Sequence, residues 1–99
     1  MQTENSTPIV RINTLKTLTF YLNKCESLFI TKDVIEIHAI GKAAGMLVKI
    51  CEALQRVQGV KLMKLESIGF YDRKQFKKRK LKLVAIVKKK EELKEAELN

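Results

Sequence analysis

The stretch "VIEIHAIGKAAGMLVKICEALQRV" (34–57) decides the fold. Its first seven residues alternate: Ile35, Ile37 and Ala39 fall on one side, Glu36 and His38 on the other, the period of a half-buried strand. Gly41 then interrupts, and the period changes from two to 3.6. Ala43, Leu47, Ile50, Leu54 and Val57 recur at spacings of three and four, with Ala44, Val48 and Cys51 beside them and Lys49, Glu52 and Arg56 opposite. That pattern predicts an amphipathic helix over 42–57, which Gly59 ends. Gly45 is expected to let this helix approach a neighbour closely. A strand that turns into a helix through one glycine is a βα unit, which asks for a sheet with helices packed on it.

The flanks repeat the theme. Upstream, "PIVRIN" (8–13) reads as a short strand, with Val10 and Ile12 on one face and Arg11 on the other. "TLKTLTFYLNKCESLF" (14–29) places Leu15, Leu18, Leu22, Cys25 and Phe29 on one helical stripe, widened by Tyr21 and Leu28, with Asn13 or Thr14 as its cap. Downstream, "VKLMKLESIGFY" (60–71) is a strand of imperfect alternation in which Gly69 marks a bulge. "KLKLVAIVK" (80–88) alternates cleanly: Leu81, Leu83, Ala85 and Val87 against Lys82, Val84, Ile86 and Lys88. The order β-α-β-α-β-β predicts an α/β fold, in detail an α+β two-layer sandwich: a mixed four-stranded sheet with both helices on one face and the last two strands paired as a hairpin. Residues 1–7 are expected to be disordered, 8–90 to form the domain, and 91–99 to form an acidic tail.

The 99 residues are 45% hydrophobic, ordinary for a globular domain, but carry a net charge of +9. Such a balance calls for polyanionic partners. No apolar run approaches the ~20 residues that span a bilayer, neither helix has a Lys/Arg-rich polar face, and the polar start lacks the apolar core of a signal peptide. The expectation is a chain that is neither membrane-bound nor secreted. Cys25 and Cys51 lack metal-binding or redox spacing and read as buried free thiols of a reducing compartment.

The charge is concentrated. Arg73, Lys74, Lys77, Lys78, Arg79, Lys80, Lys82, Lys88, Lys89 and Lys90 are ten of the chain's twenty Lys and Arg, and no acid interrupts them. A lysine-guarded edge hairpin would ordinarily mix signs; this one is built to meet phosphates, whose neutralisation releases counterions. Phe76, among these charges, is placed to stack on an unpaired base or wedge into a groove. Two further anion sites are expected at helix starts. Lys16, in the loop "NTLK", opposes the helix dipole unless a phosphate arrives, and Lys42 follows the junction glycine. The junction is neither GxGxxG nor a P-loop. Catalysis finds no constellation: His38 is the only histidine and sits mid-strand, the acids are scattered, and no spacing suggests zinc. No cofactor is expected, and no enzyme activity.

Three of these stretches together resemble the Alba family of small basic chromatin and RNA-binding proteins, most closely its plant and protist branch. They are "INTLKTLTFYLN" with its aromatic pair Phe20-Tyr21, "VIEIHAIGKAAGMLVKICEALQR" with Ala39, Gly41, Ala43 and Glu52, and "DRKQFKKRKLKLVAIVKK". The resemblance covers about residues 8–90. It implies a non-catalytic dimer that binds RNA or DNA with little sequence preference, its hairpins reaching along the nucleic acid and its loop lysines contacting phosphates. Carried over residue by residue, Lys16 matches a loop lysine, Lys42 the basic residue after the junction glycine, and Arg73 to Lys80 the arm.

The chain departs from the family pattern in having a single Lys16 after Thr14 and Leu15, Ile40 before the junction glycine, and an acidic end in place of an RGG tail. These departures shift weight toward hairpin contacts and RNA. Some relatives serve as heterodimeric subunits of ribonuclease P or MRP-like particles, which is the alternative reading. A protein-interaction module, with Val84 and Ile86 as a partner surface, is a third. Location in the nucleus, the cytoplasm or both is expected, "KKRK" (77–80) being compatible with a nuclear address.

Overall fold

A computed structural model of the chain describes residues 6–71 and 79–90. In chain order the elements are β1 (Ile9–Ile12), α1 (Leu18–Thr31), β2 (Val34–Ile40), a single 3₁₀ turn (Gly41–Ala43), α2 (Ala44–Val57), β3 (Val60–Tyr71) and β4 (Arg79–Lys89). The four strands form one sheet in the order β1-β2-β4-β3. β1 runs parallel to β2, with Val10 beside Ile37 and Ile12 beside Ala39, while β4 is antiparallel to both β2 and β3. The order and the mixed sheet are those the hydrophobic patterns predict.

The registers put Val10, Ile12, Ile35, Ile37, Ala39, Ala85 and Val87 on one face, and all are buried. They form one core with Tyr21, Cys25 and Phe29 of α1 and Leu47, Ile50, Cys51 and Leu54 of α2. Both helices therefore cover the same face, and burying these apolar stripes is the main stabilising term. Burial pushes the Cys25 thiol up to about 11, with a smaller push from Cys51 that Lys24 partly offsets. Burial does the same to Cys51. Both are free thiols that ionise too weakly at neutral pH to act as nucleophiles.

Several local expectations change. The first helix starts at Leu18, not at residue 14, because Thr17 is its cap: the Thr17 hydroxyl accepts the Phe20 N–H at 3.1 Å. Leu15 and Lys16 consequently precede the helix, and Leu15 is 84% exposed instead of in the stripe. The second helix opens with the 3₁₀ turn, and Val57, at its last turn, is 71% exposed. No bulge occurs at Gly69, which pairs regularly with Leu81; the irregularity lies between Leu62 and Lys64. Gly45 is exposed, and a methyl group there would meet nothing within the chain. The glycines at 41 and 59 are the ones the backbone demands, with φ of 62° and 65°, a region that other residues enter at a cost.

Candidate nucleic-acid interface

The strand directions decide what meets what. β1 and β2 are parallel, so Ile12 and Ile40 end at the same edge of the domain. β4 enters the sheet there, with Lys82 opposite Ile40, and the β3–β4 ribbon continues for three more pairs, to Tyr71 opposite Arg79. The loop after β1, the 3₁₀ turn after β2 and the root of the hairpin thus share one end of the sheet. This is the end where open α/β sheets usually bind their ligands, outside the carboxyl ends of parallel strands.

A concavity of about 670 Å³ occupies this end. Arg11, Lys42, Lys80 and Lys82 contribute positive charge to its lining, together with the backbone of Gly41 to Ala43, and no carboxylate among the described residues lines it. Lys42 is exposed and Lys82 half-buried. Gly41 turns the chain from strand into the 3₁₀ turn and so carries Lys42 to the rim.

Lys16 is held beside the concavity by a small polar clamp. The Asn13 N–H donates to the Tyr21 hydroxyl at 2.9 Å, that hydroxyl donates back to the Asn13 carbonyl at 3.2 Å, and the Asn13 side-chain oxygen accepts the Leu15 N–H at 2.8 Å. Tyr21 is buried, so the loop is tied to the core of α1. The Lys16 ammonium lies 5.0 Å from the centre of the Phe20 ring. A second hollow, of about 300 Å³, adjoins and shares Arg11 and Asn13 with the first; Lys16, Phe20 and Lys24 also line it.

Of the expected contact residues, Lys16, Lys42, Lys80 and Lys82 are brought to this end. The backbone of Arg79 belongs to β4 there. Arg73, Lys74, Phe76, Lys77 and Lys78 lie outside the described residues. Two cations were missed in the sequence, Arg11 and Lys24. Arg11 was legible only as the outward residue of a strand; its place in the site depends on β1 lying next to β2. Lys24 follows Phe20 by one helical turn, a spacing that places both on one side of α1.

The sole histidine has a partner after all. His38 Nε2 lies 2.8 Å from the Glu36 carboxylate on the sheet face away from the helices, while its Nδ1 is buried without a hydrogen-bond partner among the described residues. No three His, Cys, Asp or Glu side chains gather as a metal site among the described residues, and no described helix is long and apolar enough to cross a membrane.

The Alba family model matches residues 8–72, a stretch that takes in β1 through β3. The chain belongs to the Alba family. Its fold is similar to that of ALBA1 from Trypanosoma brucei, with a TM-score of 0.74 and 18% identity over 87% of this chain and 72% of that one. It is also similar to Alba from Thermoplasma volcanium, with a TM-score of 0.67 and 15% identity over 82% of this chain and 99% of that one. No curated protein sequence gives a significant match. Alba proteins are in general nucleic-acid-binding proteins, not enzymes, and typically form dimers.

Proposed function

We propose that this Alba protein binds RNA or DNA through its phosphates, with little reading of base identity, using the basic end of the sheet and the hairpin that leaves from it. The observation that carries the reading is the convergence of Arg11, Lys42 and Lys82 on one concavity, with Lys16 alongside. Four lysines and arginines gathered at one end of the sheet make affinity phosphate-driven and steeply dependent on salt. Arg73 to Lys80 extend the same charge along the nucleic acid, and Phe76 adds an apolar contact.

A dimer suits the apolar residues that one chain leaves uncovered. Leu65 and Leu81 lie on the helix side of the ribbon, yet are 49% and 46% exposed. A second Alba chain, identical or different, would bury them. A different partner chain would favour service as a subunit of a ribonuclease P or MRP-like particle over packaging of nucleic acid. The proposed place of action is the nucleus, the cytoplasm or both.

The test is fluorescence anisotropy with duplex DNA, duplex RNA and single-stranded RNA of equal length over a salt series. Log affinity should fall with log salt with a slope of about 0.9 for each phosphate engaged on a duplex. Lys42→Glu with Lys82→Glu should flatten that slope by about two contacts on every probe. No binding by the purified chain at low salt would overturn homomeric nucleic-acid binding. Recovery of binding on adding a second Alba-like chain would establish the heterodimer.

A further inference from the structure

Phe20 has no task in the core. The buried face of α1 is made by Tyr21, Cys25 and Phe29, while Phe20, in the first turn, is 42% exposed. Its ring is nevertheless held in place. It stands edge-to-face with Tyr21, the centroids 5.2 Å apart and the planes at 84°, and Tyr21 is itself clamped to Asn13. The Lys16 ammonium sits over the ring at 5.0 Å. Around it, Arg11, Lys16 and Lys24 line a hollow of about 300 Å³ that no carboxylate among the described residues lines. An oriented, half-exposed aromatic ring ringed by three cations is the chemistry of a nucleotide site: a face for a base and charges for its phosphates.

We propose that Phe20 is a stacking platform for one unpaired nucleobase of a single-stranded segment, with Arg11, Lys16 and Lys24 holding the neighbouring phosphates. In the free protein Lys16 covers the ring; on binding it moves to a phosphate and leaves the ring to the base. The exchange is favourable because a cation over an exposed ring is held more weakly than a base stacked on one. A paired base cannot make this contact, since both its faces are stacked inside the duplex. The hollow shares Arg11 with the larger concavity, so a strand held there can pass directly onto Phe20. The inference rests on the phosphate-binding reading above and adds to it a preference for single strands.

The experiment compares wild type, Phe20→Leu and Phe20→Trp on single-stranded RNA and single-stranded DNA of about 12 nucleotides, and on the RNA duplex. The single strands carry 2-aminopurine at successive positions. Phe20→Leu keeps the apolar bulk of an exposed position and removes the π face. It should weaken single-strand binding by about 5- to 100-fold, abolish the quenching of 2-aminopurine, and leave duplex affinity within about twofold. Phe20→Trp should retain single-strand affinity. The chain has no other Trp, so quenching of the new indole by single strands and not by duplex would report the stack directly.

Wild-type affinity of Phe20→Leu for single strands overturns the platform, as does an equal loss on single strands and duplex. Circular dichroism of both variants shows whether any loss comes from unfolding, and retained affinity in Phe20→Trp without indole quenching also sinks the proposal. The phosphate reading fails separately, by insensitivity of all probes to the Lys42 and Lys82 reversals.

Discussion

The two edges of the sheet are built on different plans. β1 has four residues, and its alternation is fully expressed: Val10 and Ile12 are buried, Ile9 and Arg11 are not. β3 has twelve residues and carries Val60, Leu62, Met63, Leu65, Ile68 and Phe70, yet only Val60 is buried. At least half of each strand is apolar, but the cover differs. The helices lie over β1, β2, β4 and the first part of β3, and the rest of β3 runs on with β4 beyond them. Twelve residues of strand span roughly 40 Å, more than a 14-residue helix of roughly 21 Å can roof. The short edge closes the core, and the long edge runs on with β4 to the pair of Tyr71 and Arg79.

Mutations can break this comparison. The largest difference is expected between Ile12→Ala and Leu65→Ala. The first empties a buried site and should cost about 2–5 kcal/mol of unfolding free energy; the second should cost less than about 1 kcal/mol in the isolated chain. A cost at Leu65 that matches Ile12 and grows with protein concentration would show a second chain covering the long edge.

The thiols beneath the helices give a pH test of the covered region. Each thiol is raised from 9.0 to about 11 by burial, so the unfolded chain ionises first. The stability they contribute is complete below pH 9 and is lost as pH rises through about 11. Denaturant midpoints should fall across that window, and Cys25→Ala with Cys51→Ala should flatten the fall.

Smaller effects address how the sites are held. Gly41→Ala forces a side chain to φ 62° and should cost about 1–2 kcal/mol while displacing Lys42. Tyr21→Phe removes the clamp on Asn13 and should cost about 1 kcal/mol, with a weaker contribution of Lys16 to the salt slope. The smallest effect is expected on the long edge. Lys64 and Glu66 pair at 3.2 Å with both side chains largely exposed, and Glu66→Gln should change stability by less than about 1 kcal/mol. A larger loss would mean that this pair lies under a partner.

Much of the fold was legible because burial on one face imposes a period. β2 at 34–40 and β3 at 60–71 were read to the residue, and the switch at Gly41 was read from a glycine whose φ requires one. The misread places are those where a local rule competes with another of equal strength. Thr17 is the cap, its hydroxyl taking the Phe20 N–H, while the Asn13 side-chain oxygen is turned to the Leu15 N–H and the Asn13 backbone is tied to Tyr21, a contact eight residues away that no cap preference contains. Val57 fits the helical stripe but lies at the last turn, where it is left largely exposed. The bulge sits between Leu62 and Lys64 and not at Gly69, which stays in regular register with Leu81.

The candidate site divides in the same way. Lys16, Lys42 and Lys82 could be named from charge and from their positions at element ends, because phosphate chemistry asks for those residue types at those places. Arg11, Lys24 and the half-exposed Phe20 could not, since each reads alone as an ordinary surface or stripe residue. By itself the sequence determined the element order, the buried faces and the excess of positive charge, all of which follow from local periodicity and composition. Only the tertiary structure decided that β1 lies beside β2 with β4 entering at their ends. That strand order is set by which long-range pairing buries both helical stripes at once, and it is what brings residues 11, 16, 42 and 82 to a single surface.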